Sequence, residues 1–393
     1  MRKVLHYRPV VDSKTRRRAL ACLLEWRARR LPDPVARLQF LQRHAVSDAC
    51  FKPKTAAHRS RTPAIALGIG LLGAALLRPW ASLPSPQRPS QPQAILRQAN
   101  YPAASVSSVW LVEGSPRSDL YSNGLRVENE FLAATAPRKY LAFARSRPRG
   151  LNGEWQTRPA GIVFHTTESH IAPFEEDQNR ELRRDGEGLL EYVSRRRSYH
   201  FVIDRFGRVF RIVKESDYAN HAGNSVWADE AWIYVNLNQS FFGVAFEAKT
   251  NVEGEDIPVN AAQIHAARIL VEMLRARYAI RAENCVAHGQ VSVNPANGRA
   301  GYHVDWVSNL PFADLGLSNN YKRPLASVEL FGFEPDAALL DAGALAESIE
   351  QSQAKLRAEA AKRSLTPARY RATLQAEYRE AVEQQRDAGT RTP

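Results

Sequence analysis

The chain has 393 residues and a net charge of +13, but residues 1–62 alone carry +12 of it, with 16 Lys and Arg against 4 Asp and Glu. The remainder is nearly neutral, so the basic balance describes one arm, and no nucleic-acid partner is expected. Three cysteines (Cys22, Cys50 and Cys285) at no recognisable spacing argue against both a disulfide framework and a cysteine zinc knuckle.

In chain order, residues 14–43 mix leucines and Trp26 with many arginines and are broken by Pro32 and Pro34. They read as two short basic amphipathic helices in a cytoplasmic arm, residues 1–62. Ala64–Leu77 then runs 14 residues without a polar side chain, directly after Lys52, Lys54, Arg59 and Arg61. A spanning helix needs about 20 residues, a length reached at Leu83 if Arg78 snorkels to the interface. Residues 63–83 are therefore expected to be a membrane anchor or a signal segment, with the basic side cytoplasmic and the rest of the chain outside. A Pro/Gln/Ser linker follows at 84–104. Residues 105–154 are expected to form a small β elaboration with a hairpin at Asn123-Gly124.

The main domain is placed at 155–317. Its order is strand (161–165), helix (178–197), hairpin (199–213), strand (241–247), helix (260–278) and strand (284–288). The second helix starts at an Asn260 cap and sets Ile264, Ala267, Val271, Leu274 and Tyr278 on one face. An α/β fold with a mixed central sheet flanked by helices is expected. Two apolar strands each deliver a histidine at their end, His165 and His288. A Pro/Asn/Gly loop after the second leads to the pair His303-x-Asp305. Two strand-end histidines and a nearby His/Asp pair have the composition of a metal site; a lone strand-end histidine is otherwise a hydrogen-bonded core residue.

Six pieces occur in register: His165-Thr166-Thr167 at a strand end; Tyr199-His200 running to Asp204 before a Gly turn; Asn220-His221-Ala222-Gly223; Phe242-Gly243 to Glu247; Val286-Ala287-His288-Gly289; and an ending anchored on Asp305. Together they resemble the type-2 N-acetylmuramoyl-L-alanine amidase family, which includes amidase-type phage lysozymes and the peptidoglycan recognition proteins. The resemblance implies a zinc held by His165, His288 and Asp305. From Asp305 the family's offsets of five to seven residues fall on Leu310, Pro311 and Phe312, although Trp306-Val307 stands where relatives have Pro-Gly. His303 then takes the place of a lysine that steadies the transition state; the swapped assignment, with His303 on zinc and Asp305 behind it, stays open. Tyr199 matches a tyrosine that orients water or the oxyanion. Where another branch has a strand glutamate this chain has Ala245, and Glu247, two residues on and on the same face, is the candidate base or supporting group. His221 and Thr166 are expected to line the substrate cleft, while His170, His200 and His265 match no ligand position.

The 318–393 extension reads as helices at 336–362 and 366–386, split at Leu365-Thr366-Pro367. The resemblance implies a zinc amidase acting on peptidoglycan or muropeptides, here expected as a single-pass membrane protein facing the periplasm or cell wall. The alternative is a recognition module that binds peptidoglycan without cutting it.

Overall fold

Two runs of six residues, Gly161–Thr166 and Phe241–Phe246, are buried along their whole length. Strands with no polar face must be covered on both sides, which is the signature of a parallel sheet between packed layers. The computed structural model describes residues 108–146, 153–250 and 258–390.

The strands in chain order are β1 (Leu111–Gly114), β2 (Ser118–Tyr121), β3 (Arg126–Glu128), β4 (Tyr140–Ala144), β5 (Gly153–Gln156), β6 (Gly161–Thr166), β7 (Phe201–Ile203), β8 (Val209–Arg211), β9 (Val226–Ala228), β10 (Trp232–Val235), β11 (Phe241–Phe246), β12 (Cys285–Ala287), β13 (Val293–Asn294), β14 (Arg299–Ala300) and β15 (Glu334–Pro335). The helices are α1 (Asn179–Arg196), α2 (Leu237–Ser240), α3 (Ala261–Tyr278), α4 (His288–Val291), α5 (Ala326–Phe331), α6 (Ala337–Asp341), α7 (Ala346–Lys362) and α8 (Pro367–Thr390). The main sheet has eight strands in the order β1-β2-β3-β8-β7-β11-β6-β12. Its heart, β7, β11, β6 and β12, is parallel, while β8 and β7 form an antiparallel hairpin. This is the mixed α/β sheet expected from the sequence.

One face of the sheet packs on α3, through Phe164, Phe246, Leu270 and Leu274. α3 is fixed at its start by a capping box, in which the Asn260 side chain accepts from Gln263 N–H and the Gln263 side chain accepts from Asn260 N–H. The other face meets α1 through Leu189, Leu190, Val193 and Ala245. The hairpin at Asn123-Gly124 does more than pack on this sheet: β3 pairs in parallel with β8 and extends it. The physical gain is that β8 no longer presents an open edge.

A second, antiparallel sheet, β5-β4-β10-β9, lies on the C-terminal helices. Gln385 of α8 accepts from Leu141 N–H in β4 at 2.7 Å, and Tyr378 of α8 packs edge-on against Phe331 and Phe333. The apolar run Val328–Phe333 divides between α5 and the approach to β15 at Gly332, which takes φ +68°.

Residues 1–62, 63–83 and 84–104 lie outside the described residues. The expected single-pass localisation is corrected here: among the described residues no helix is long and apolar enough to cross a membrane. α3, with 18 residues, has a buried face but also carries Arg268, Glu272, Arg275 and Arg277.

Candidate metal centre

The sheet register builds the site. β12 pairs with β6 so that Ala287 lies beside Phe164, and the next residue on each strand is a histidine. His165 and His288 are thereby delivered side by side at the carboxyl end of the sheet. Asp305 reaches them from the loop after β14, and its carbonyl accepts from Gly289 N–H at 2.9 Å. That loop is held from behind: Trp306 is buried against Phe246, and its carbonyl accepts from the Tyr321 hydroxyl.

His165, His288 and Asp305 are 1%, 4% and 7% exposed, and one ligand atom from each lies within 4.8 Å of the others. His165 Nδ1 stands 3.2 Å from Asp305 Oδ2, and His288 Nδ1 stands 2.9 and 3.1 Å from the two carboxylate oxygens. The ring nitrogens facing away decide the tautomers. His288 Nε2–H is directed at the Ala222 carbonyl, 3.4 Å away. His221 Nε2–H donates to the Phe241 carbonyl at 3.2 Å, so its Nδ1 is left to accept from His165 Nε2–H at 3.1 Å. Both cluster histidines therefore turn an unprotonated Nδ1 towards a carboxylate.

Electrostatics keep it so. Burial, followed by the neighbouring His288, pushes the His165 pKa down to about 4. Burial opposes ionisation of Asp305, yet the two imidazoles beside it, His288 foremost, hold its carboxyl well below the usual carboxylate range. Two nitrogen lone pairs and an anion converging in a buried spot repel one another unless a cation sits among them. Ligands at tetrahedral zinc distances would be separated by roughly 3.3 Å, close to the separations found. The donor set fits a divalent ion of that kind.

The remaining expected residues fall at different distances. His303 is exposed, with its ring stacked on His288 at 4.4 Å. Desolvation of its packed side, with the His288 neighbour, lowers its pKa. The Tyr199 ring is 5.1 Å from that of His165, on a backbone at φ +63°; burial raises its pKa, so the phenol stays protonated. His221 sits behind the cluster, against His165. Glu247 shares the face but is held apart from the ligands by Arg205 N–H at 3.0 Å, and burial pushes its pKa up to about 7. Thr166 alternates to the opposite face, where its hydroxyl donates to Glu168 at 2.6 Å. His200 is buried and accepts from Gly243 N–H at 3.0 Å.

Sequence reasoning missed two supports of the cluster. Asn238 Oδ1 accepts from the backbone N–H of His221, Ala222 and Gly223, shaping the loop that carries both the His221 ring and the Ala222 carbonyl. Gly243 leaves room for the His221 ring, since a Cβ there would lie 2.5 Å from its Cγ. The glycine in a buried central strand was the visible signal for a close approach; Asn238 carried none.

A mixed sheet with a buried His-His-Asp group at its carboxyl end defines an α/β protein with a candidate metal centre. Residues 155–301 match the family model described as N-acetylmuramoyl-L-alanine amidase. The match contains His165 and His288 and ends before Asp305.

Among solved structures, the chain is similar to the N-acetylmuramyl-L-alanine amidase AmiD from E. coli, solved with anhydro-N-acetylmuramic acid-L-Ala-D-γ-Glu-L-Lys, at 22% identity over 43% of this chain and 60% of that chain, TM-score 0.31. It is also similar to AmpDh3 from Pseudomonas aeruginosa, in complex with anhydromuramic pentapeptide, at 23% identity over 47% and 72%, TM-score 0.31. The Drosophila peptidoglycan recognition protein SD matches at 18% identity over 41% and 80%, TM-score 0.25. The chain thus spans 60% of the length of AmiD. No curated protein matches it.

Proposed function

We propose that the chain is a zinc-dependent amidase that hydrolyses the bond between N-acetylmuramoyl and L-alanine in peptidoglycan or muropeptides. The observation that carries this reading is the convergence of two unprotonated Nδ1 atoms on one carboxylate inside a domain of the amidase family. Residues 155–317 are assigned as the catalytic domain, with 105–154 and 318–393 as elaborations of it. His165, His288 and Asp305 would hold the zinc, and His221 and the Ala222 carbonyl would keep the two imidazoles in the ligating tautomer. When bound, the ion supplies a Lewis acid that acidifies water and polarises the amide carbonyl.

The side chains around it do the rest. The Tyr199 hydroxyl, kept protonated by burial, is a hydrogen-bond donor for the oxygen that gains negative charge as water adds to the carbonyl carbon. His303, on the open side of the cluster, is placed to relay a proton from that water to the departing nitrogen of L-alanine. The carbon–nitrogen bond breaks, leaving a muramoyl carboxylate and a free amine on the peptide. Glu247 is assigned a supporting role on the same face.

The test is zinc content and release of L-alanine-terminated peptide from purified peptidoglycan, for the full chain and for Asp305→Ala and His303→Ala. Stoichiometric zinc and peptide release are expected, with metal lost from Asp305→Ala and kept by His303→Ala at a lower turnover. If His303→Ala were the variant that loses zinc, the ligand roles of the two residues would exchange. A zinc-free chain that binds the wall without cutting it would replace the amidase with a recognition module.

A further inference from the structure

α8 does more than cover β4. Its stretch from Tyr378 to Arg386 forms one wall of a groove of about 540 Å³, and Asn224 with the β13–β14 turn at 294–296 forms the other. The walls are fixed pieces. Val293 N–H donates to the Asn224 carbonyl at 3.0 Å, tying the two far-wall loops together. The Gln375 side chain packs on Gly298 and donates to the Gly332 carbonyl at 3.2 Å, seating α8 against the turn. Both far-wall loops lead back to the metal cluster. Asn224 follows His221 by three residues, a reach of at most about 11 Å, and Ser292, next to Val293, accepts from His303 N–H at 3.0 Å.

The groove has an unbalanced charge and an unmet hydroxyl. Glu383 stands 4.0 Å from Arg386. Arg379 is exposed and makes no hydrogen bond or ion pair among the described residues. Tyr378 lines the groove, and its hydroxyl is buried with no hydrogen-bond partner among the described residues, an arrangement that costs stability unless something entering the groove meets it. A guanidinium without a partner, beside the amides of Asn224 and Asn294, is suited to a carboxylate. In an N-acetylmuramoyl-L-alanyl peptide the lactyl carboxyl is locked in the amide, so the free carboxylates all lie on the peptide side.

We propose that this groove is a subsite for the carboxylate-bearing peptide stem of the substrate, with Arg379 binding a stem carboxylate. The proposal rests on the amidase reading and adds a direction to it: the peptide leaves the cluster past Gly223-Asn224 towards α8. It also gives a substrate-reading role to a helix that lies wholly outside the family match, which ends at residue 301.

The experiment uses the full chain, its Arg379→Gln and Arg379→Lys variants, and synthetic N-acetylmuramoyl-L-alanyl-γ-D-glutamyl-L-lysine with its carboxylates either free or converted to carboxamides. With free carboxylates, Arg379→Gln should raise KM about fivefold at unchanged kcat, the size typical of one partly exposed charge pair, and Arg379→Lys should recover most of it. With the carboxamide substrate, wild type and Arg379→Gln should have the same KM. Equal effects on both substrates, or on neither, would overturn the subsite. Direct titration of the uncleaved free-carboxylate compound keeps the two readings apart. If the wild type cleaves nothing, the amidase reading falls, while the same Arg379-dependent difference in Kd still upholds the groove and its absence removes it. Tyr378→Phe, which takes away only the unmet hydroxyl, should weaken binding of that compound without lowering the melting temperature; unchanged binding would count against the stem reaching that hydroxyl.

Discussion

Glu247 separates stability from chemistry at the level of single residues. Its carboxyl is buried over Gly186 of α1, takes the Arg205 N–H, and titrates at about 7 against an ordinary value of 4.5. The raised value comes first from burial, so the folded state resists ionisation of this group. Below pH 4.5 the folded and unfolded chains both hold the proton and nothing is lost. As pH rises the unfolded chain ionises first, so stability falls until the folded carboxyl also ionises near pH 7, by at most about 3 kcal/mol. Glu247→Gln keeps the acceptor and removes the titration. Its melting temperature should pull ahead of wild type between pH 5 and pH 8; an offset that stays constant with pH would show that the carboxyl is not held neutral. The candidate metal ligands offer the contrasting case, because there the charge is wanted: His165 and His288 present lone pairs to an ionised Asp305, and removal of that carboxylate should cost the metal proposed for the site.

Individual elements owe their placement to small residues and caps. Gly243 of β11 is the space in which the His221 ring lies, and that ring accepts the His165 Nε2–H. Gly243→Ala should displace His221, free the His165 tautomer and weaken zinc binding roughly 10- to 100-fold, read by competition with a chromophoric chelator. Asn260→Ala is the control. It removes the side-chain acceptor of Gln263 N–H from the α3 capping box and leaves the Gln263 arm, which should cost about 1 kcal/mol and lower the melting temperature by about 3 °C, with zinc affinity unchanged. Equal metal loss in both variants would mean that Gly243 acts through general stability.

Elements of this kind were partly legible. The strands ending in His165 and His288 and the Asn260 cap are local patterns, and a sequence displays local patterns. The pairing of β3 with β8 is a register fact between segments with no shared motif, so nothing in either segment announced it. The offsets that follow Asp305 favoured it over His303 without closing the choice, because both lie within reach. Only the three-dimensional loop places the carboxylate between the two Nδ1 atoms and stacks the imidazole outside them.

On the scale of the whole molecule, described segments outside the family match are built into the sheets or packed on them. β1–β3 lengthen the central sheet, and α8 reaches β4 through Gln385 and the β13–β14 turn through Gln375. The basic arm at 1–62 dominates the charge of the sequence and lies outside the described residues.

The central strand β6 carries a consequence for the order of events in time. Its neighbours are β11 and β12, both made long after it, and His165 is 140 residues from the Asp305 it faces. Pairings this distant close slowly, since loop entropy must be met before any contact repays it. A chain emerging from its N-terminus therefore displays His165 well before the other two ligands exist. Metal capture by the proposed zinc site would then belong to the last stage of folding, and zinc uptake during refolding from denaturant should rise together with the slowest phase that reports the sheet. Uptake that preceded that phase would mean that His165 finds a different partner first.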